Sequence, residues 1–357
     1  MLTRLLSGDT PRSGILTVFL LLILISLAFA PFLFPGTKSL ETAARICIFI
    51  VLVASYDLLL GYAGIVSFAH TMFFGIGAYG TALALSATGA GYFPLVWGTV
   101  AGAIVAAIFA LAIGLFSLRV KAIFFAMVTL AVASAFAVLV SQLSWLTGGE
   151  DGLNYRIPRE LTPAFKLIGG KVFGVTVNGK VLAYYLVFVA SLVLFLIMLR
   201  IVNSPFGSTL KAVRDNAFRA EAIGYRVVWY RTTATVLSAV MAALAGSLLA
   251  IWLRYTGPAT TLSMEIMIDI LLMVVIGGMG TLYGAVLGVT LFILAQTYLQ
   301  DFMGVAAEAT SSVPLVSALV APERWLLWLG VLFVLSVYFF PTGIVGRLRE
   351  RARASGR

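Results

Sequence analysis

Residues 203–231 read NSPFGSTLKAVRDNAFRAEAIGYRVVWYR, a basic and polar stretch framed on both sides by apolar runs long enough to cross a bilayer. It opens like a helix, with Asn203 and Ser204 as candidate caps and Pro205 in the first turn, where its missing N–H costs nothing. Phe206, Leu210 and Val213 recur at three- and four-residue spacing, which predicts one apolar face, while Lys211, Arg214, Asp215 and Arg219 point elsewhere. Gly224 supplies the stop. A short amphipathic helix at a membrane face is built to touch another protein or the lipid surface. Asp215 and Glu221, together with the modest apolar face, argue against anionic lipid and for a protein.

The framing runs decide the fold class. Of 357 residues, 61% are hydrophobic and only 11% charged, and mean hydropathy is +1.07. Such a composition is excluded for a water-soluble domain and required where lipid is the solvent. A crossing needs about 20 apolar residues. Candidate spans fall at about 15–34, 42–60, 64–87, 94–117, 120–142, 182–201, 232–253, 264–279, 281–300 and 324–342. The expected fold is an all-α polytopic membrane protein of about ten transmembrane helices. The count drops to eight or nine if the short eighth span, or the glycine-rich break between the second and third, does not make a separate crossing.

Basic residues set the orientation, because cytoplasmic loops retain Lys and Arg. Placing both termini in the cytoplasm gathers Arg4, Arg12, Arg119, Lys121, Arg200, the bases of 203–231 and Arg347, Arg349, Arg351, Arg353 and Arg357 on the inside. The outer turns near 88–93 and 255–263 carry no Lys or Arg. The 143–181 loop, with five bases against three acids, then lies outside, where long loops weigh little in this rule. The formal charge of +10 therefore reports membrane orientation and no nucleic-acid partner. Ala28-Phe29-Ala30 has the form of a signal-peptidase site, but Pro31 follows it, so the first span is expected to be retained as an anchor.

Several chemistries are excluded. GVTVNGK at 174–180 looks like a phosphate loop, but Val181 stands where magnesium needs a hydroxyl. GIGAYG at 75–80 matches a dinucleotide fingerprint, yet it sits inside an apolar span, where small residues serve close helix packing, as at Gly98/Gly102 and Gly284/Gly288. A single histidine and a single cysteine, Cys47, leave no zinc or disulfide framework and no hydrolytic triad. No stretch outside the spans is long enough to build a soluble core, so 1–357 is read as one membrane domain without an ATPase site or cofactor of its own.

The most polar membrane stretch is GYAGIVSFAHTMFFG at 61–75. Broken helix at membrane depth is tolerated where protein or a water-filled cavity meets it. Gly61, Tyr62, Gly64, Ser67, Phe68, His70 and Thr71 are thus candidates to line a path for a small zwitterionic solute. The plainer alternative is a tight turn between two spans with a histidine satisfied by neighbouring backbone. Among charges within spans, Asp57 is expected to act structurally near the inner end and Arg45 to snorkel outward, while Asp269 stays open between a structural and a transport role.

Four motifs in order, GYAGIVSFAHTMFFGIGAY at 61–79, TGGEDGL at 147–153, SPFGSTLKAVRDNAFRAEAIGY at 204–225 and VIGGMGTLYGAVLG at 275–288, resemble the permease of branched-chain amino acid ABC importers, most closely its M-type (LivM-like) subunit. The resemblance implies a bacterial inner-membrane protein working with a second, H-type permease, two cytoplasmic ATPases that bind the ATP, and a periplasmic solute-binding protein. It implies that 203–231 couples to the ATPases, with Gly207, Arg214, Asp215, Arg219, Ala220, Glu221 and Gly224 on the family pattern; the residues themselves independently suit Phe206, Leu210 and Val213 to a partner's groove. Ser208 and Ala69 depart from the pattern, where a basic residue and a glycine are usual. The implied solutes are leucine, isoleucine and valine, or related amides, urea or aromatic acids. An ion-coupled carrier using Asp57, Asp269 or His70 is the alternative.

Overall fold

The computed structural model describes residues 14–33, 36–117, 122–172, 175–309, 321–339 and 343–348. Arg4, Arg12, Arg119, Lys121, Arg349, Arg351, Arg353, Arg357 and Gly174 lie outside the described residues. Each expected span coincides with a helix: α1 Gly14–Ala28, α2 Thr37–Asp57, α3 His70–Thr88, α4 Tyr92–Ser117, α5 Ala122–Gln142, α6 Gly179–Val202, then, after the short α7 Pro205–Asp215 and α8 Ala217–Ala222, α9 Val227–Leu253, α10 Met264–Gly277, α11 Leu282–Ala309 and α12 Trp325–Phe339.

Among the described residues, seven helical segments are long and apolar enough to cross a membrane: Thr37–Ala63, Tyr92–Leu115, Ile123–Gln142, Gly179–Val202, Val227–Leu253, Pro258–Gly277 and Leu282–Ala309. α1 and α12 have 15 residues each, short of that length. α3 has 19 residues but carries His70, three threonines and three glycines. It tolerates them because its surroundings are protein: Thr71 is 3% exposed, and His70 and Thr81 are fully buried.

α2 is the axis of the bundle, 94% of its apolar window being buried, against 17% for α5. The outer surface is as greasy as the core, with Ile108, Phe124 and Met127 all more than half exposed. Where lipid is the solvent, apolar burial no longer drives helices together, and close backbone approach takes over. The glycines show this. A Cβ on Gly80 would stand 2.8 Å from Gly102 Cα, and one on Gly98 would stand 2.6 Å from Gly80 O, which locks α3 to α4. On the other side of α3, Gly77 abuts the Ala243 backbone and Gly246 abuts Phe74 O, while Ser247 Oγ donates to Gly77 O at 3.0 Å. Gly284 and Gly288 bring α11 against Gly277 and Met273 of α10. The dinucleotide-like pattern at 75–80 is thus a helix-packing surface.

Among the described residues the connecting loops add four short strands to the helical fold. β1 Leu153–Asn154 pairs antiparallel with β4 Tyr255–Thr256, and β2 Lys166–Val172 pairs with β3 Val175–Asn178. The phosphate-loop look-alike supplies β3 and runs straight into α6, whose N-terminus is capped by Asn178 Oδ1 accepting from Val181 N–H at 3.3 Å. Loops 58–69, 203–226 and 278–281 meet at one end of the bundle, and 153–162 meets 254–257 at the other.

Candidate functional site

The 203–231 segment folds as two helices rather than one. Ser204 is the N-cap residue of α7 and Pro205 its first residue, but the Ser204 hydroxyl donates back to Ile201 O at 2.6 Å, and Asn203 ends α6. Asn216, extended at φ −158° and ψ 95°, breaks the helix. Its side chain accepts from Arg219 N–H at 2.9 Å and so restarts the chain as α8. Gly224, at φ 96°, stops α8 as expected. Its N–H bonds Glu221 O at 2.9 Å and Tyr225 N–H bonds Ala220 O at 3.1 Å, the paired bonds of a Schellman ending.

The apolar face of α7 does not wait for a partner. Leu210 and Val213 are fully buried within this chain, Gly207 seats on the Val202 backbone, and Phe206 stacks on Tyr230 with ring centroids 5.8 Å apart. Val213 clusters with Ala220 and Val227. Leu210 therefore has no exposed surface left for a partner's groove in this structure, whereas Phe206 stays partly exposed beside Tyr230. What faces outward instead is α8: Phe218 is 83% and Ile223 70% exposed, flanked by exposed Arg219, Glu221 and Gly224. Periodicity could not single out Phe218 and Ile223, because α8 has only six residues. The available signal was two large apolar side chains in a polar stretch.

Behind α7 lies a joint made from three motifs that are distant in sequence. α2 widens at its end into a π turn, Leu58–Ala63, and Gly64 leaves it at φ 68°. The Arg214 guanidinium donates from Nη1 to Gly61 O, and from Nε and Nη2 to Asp215 Oδ1 at 3.2 and 3.1 Å. Lys211 Nζ lies 5.0 Å from the centre of the Tyr62 ring. Asp57, 1% exposed, accepts from Gly280 N–H at 2.8 Å through Oδ1. A Cβ on Gly61 would strike both that carboxylate and the Gly280 backbone, and one on Gly64 would come within 2.8 Å of Arg214 Cγ. Gly61, Tyr62 and Gly64, read in sequence with the solute path, therefore touch the segment read as coupling.

The remaining path candidates turn into the bundle. Ser67, His70 and Thr71 are at most 3% exposed, and Phe68 N–H bonds Thr129 Oγ1 of α5 at 3.1 Å. His70 Nε2 sits 2.8 Å from Ser55 Oγ and 3.3 Å from Leu52 O. Because Ser55 Oγ–H is committed to Leu52 O at 2.7 Å, Nε2 is the donor in this pair. The ring packs edge-on against Tyr56 at 5.1 Å. The ring is therefore anchored through Nε2 alone, because the buried Nδ1 has no hydrogen-bond partner among the described residues. Deeper in the bundle, Asp269 faces Arg45 and Gln296, while Arg45 lies over Phe49 at 5.9 Å rather than snorkelling outward. A nearby opposite charge and an aromatic face make each charge less costly there than it would be alone in lipid. Among the described residues, no three His, Cys, Asp or Glu side chains group to hold a metal ion.

Apolar helices with greasy exteriors, joined at one end by a polar, glycine-tight contact, define a multi-pass membrane protein. The chain belongs to the branched-chain amino acid transport system permease family: the family described as "Branched-chain amino acid transport system / permease component" matches residues 39–337. It is similar to the high-affinity branched-chain amino acid transport system permease protein LivM of Salmonella typhimurium, 26% identical over 98% of this chain and 78% of that protein. The Escherichia coli protein of the same name is 25% identical over the same shares. A probable branched-chain amino acid transport permease protein LivM from Methanocaldococcus jannaschii is 25% identical over 70% of this chain and 67% of its own length. No solved structure matches significantly.

Proposed function

We propose that this chain is a permease subunit of an ATP-binding-cassette importer that carries branched-chain amino acids, or a related small solute, into the cytoplasm. In this reading 203–231 faces the cytoplasm and 143–181 the periplasm, both termini are inside, and the bilayer is the bacterial inner membrane. Two separate ATPase subunits bind the ATP, a second H-type permease completes the pathway, and a periplasmic binding protein delivers the solute. The observation that supports it best is the joint: a segment with an outward apolar tip at Phe218 and Ile223 grips, through Arg214, the turn that leads into Ser67, His70 and Thr71. Motion of ATPases bound at α8 then passes through α7 to the Gly61–Gly64 turn and to Gly280, and opens or closes the path that 61–71 lines. Of the carboxylates an ion-coupled carrier would use, Asp57 holds the Gly280 N–H through Oδ1, and Asp269 lies near Arg45 and Gln296.

The test is co-purification with the neighbouring gene products. Phe218 and Ile223 are exposed, so Phe218→Glu with Ile223→Glu leaves folding intact. The double change removes two apolar anchors worth about 1–2 kcal/mol each at an interface centre. Recovery of the ATPases is expected to fall at least about tenfold; undiminished recovery overturns the assignment of α8 as the docking tip.

Sidedness is tested independently. In a Cys47→Ser background, Glu150→Cys and Ser208→Cys occupy exposed positions at opposite ends of the bundle. A membrane-impermeant thiol reagent added to intact cells, with the outer membrane permeabilised, is expected to label only the first. Labelling of both from one side removes the topology.

A further inference from the structure

Three arginines converge at the end of the bundle remote from the joint. α9 carries the chain there from Val227, beside Val213, over 27 residues, about 40 Å at the usual helical rise. Arg254 ends that helix, Arg156 and Arg159 follow β1, and together with Tyr155, Ile157 and Leu253 they line a cavity of about 610 Å³. The orientation rule passed over Arg254, which stands one residue before the base-free 255–263 turn.

The arrangement is held firmly in place. Leu153 and Asn154 pair with Thr256 and Tyr255, and Tyr155 N–H reaches Arg254 O at 3.4 Å. The buried Tyr155 hydroxyl bonds Ala250 O at 2.8 Å and Thr256 Oγ1 at 2.9 Å, and its burial raises the phenol pKa. Arg254 has φ 59°, the only positive φ outside glycine among the described residues. Glycine occupies such a helix-ending position without steric conflict, whereas an arginine there presents its guanidinium at the cost of backbone comfort. Among the described residues, none of the three guanidinium groups enters an ion pair; the pairs are Lys38–Asp301 and Arg214–Asp215. Glu160, next in sequence to Arg159, bonds the Tyr92 hydroxyl instead. Three uncompensated guanidinium groups around one cavity, backed by aliphatic side chains, complement an amphiphilic anion, and the fork of an arginine matches a carboxylate.

We propose that this cavity is a binding site for a small aliphatic carboxylate at the outer mouth of the protein, with the carboxylate on Arg156, Arg159 and Arg254 and the aliphatic chain against Ile157 and Leu253. The choice of a small solute as the source of the carboxylate rests on the permease reading above. Among the described residues that line the cavity none is acidic, so the carboxylate is the recognised group and a 2-oxo acid binds at least as well as the matching amino acid.

Binding is measured by saturation-transfer NMR on the full chain in phosphatidylcholine nanodiscs, with leucine, 4-methyl-2-oxopentanoate and leucinamide as probes. The two carboxylates are expected to bind and leucinamide to fail. Arg159→Gln and Arg254→Gly are each expected to weaken the carboxylates about tenfold. Arg254→Gly relieves the left-handed strain, so loss of binding in that variant is not a folding defect. Equal binding of leucinamide, or carboxylate binding unchanged in both variants, overturns the proposal. So does protection of these arginines from phenylglyoxal by phosphatidylglycerol vesicles but not by either carboxylate, which assigns them to lipid phosphate. ATPase co-purification with the wild-type chain reports the permease reading separately, so either idea can fail while the other stands.

Discussion

Arg214→Glu is expected to leave the chain inserted and the ATPases attached, while ATP-driven solute uptake falls at least a hundredfold. The guanidinium donates to Gly61 O and to Asp215, joining α7 to the π turn of α2. A hydrogen bond from a charged donor contributes about 1.5–3 kcal/mol. Glutamate removes that bond and sets a carboxylate against the Gly61 carbonyl, with Asp215 adjacent in sequence and the buried Asp57 just behind Gly61. Repulsion there separates the two elements that have to move together. The docking tip at Phe218 and Ile223 lies on α8, beyond the Asn216 break, and is untouched. The checking measurement is uptake into vesicles beside ATP hydrolysis by the same complexes. Continued hydrolysis without uptake is the expected uncoupled state, and uptake above half of wild type removes the joint from the mechanism. Arg214→Lys, which keeps a charged donor but loses the fork, is expected to recover part of the uptake.

Gly246→Leu is expected to prevent the bundle from assembling. A Cβ at this position would lie on Phe74 O and 3.1 Å from Ala78 N, both backbone atoms of α3 that cannot yield without moving the helix. Overpacking by added methylenes typically costs about 1–3 kcal/mol, and three further carbons beyond Cβ enlarge the conflict. Gly330→Leu is the matched control: nothing stands within 4 Å of its Cβ position, and α12 is exposed there. The readout is the yield of monodisperse protein after detergent extraction. The first variant is expected to aggregate and the control to match wild type; a monodisperse Gly246→Leu chain overturns the account of how α3 and α9 pack.

Much of this architecture was legible along the chain because the bilayer acts on one segment at a time. Each stretch of about 20 apolar residues reports its own helix with no knowledge of its neighbours. The start at Pro205 and the stop at Gly224 are equally local, and both stand at the expected positions. Boundaries drifted where polar residues could be housed by protein: α2 begins at Thr37 rather than 42 and α9 at Val227 rather than 232, because Glu41 and Arg231 lie at bundle ends, outside the apolar criterion for a span. The Asn216 break escaped notice because one extended residue leaves the surrounding periodicity nearly unchanged.

By itself, then, the sequence determined the membrane class, the helical segments and the four motifs that carry the family resemblance, all of which depend on short-range pattern. Only the tertiary structure decided which face of α7 is used up internally, that Gly61 and Arg214 meet across 153 residues of chain, and that Arg156, Arg159 and Arg254 share one cavity. Those outcomes rest on glycines that bring backbones within contact and on single side chains reaching carbonyl oxygens of remote segments. Such contacts have no period and no fixed spacing, so they exist only once the helices have been packed.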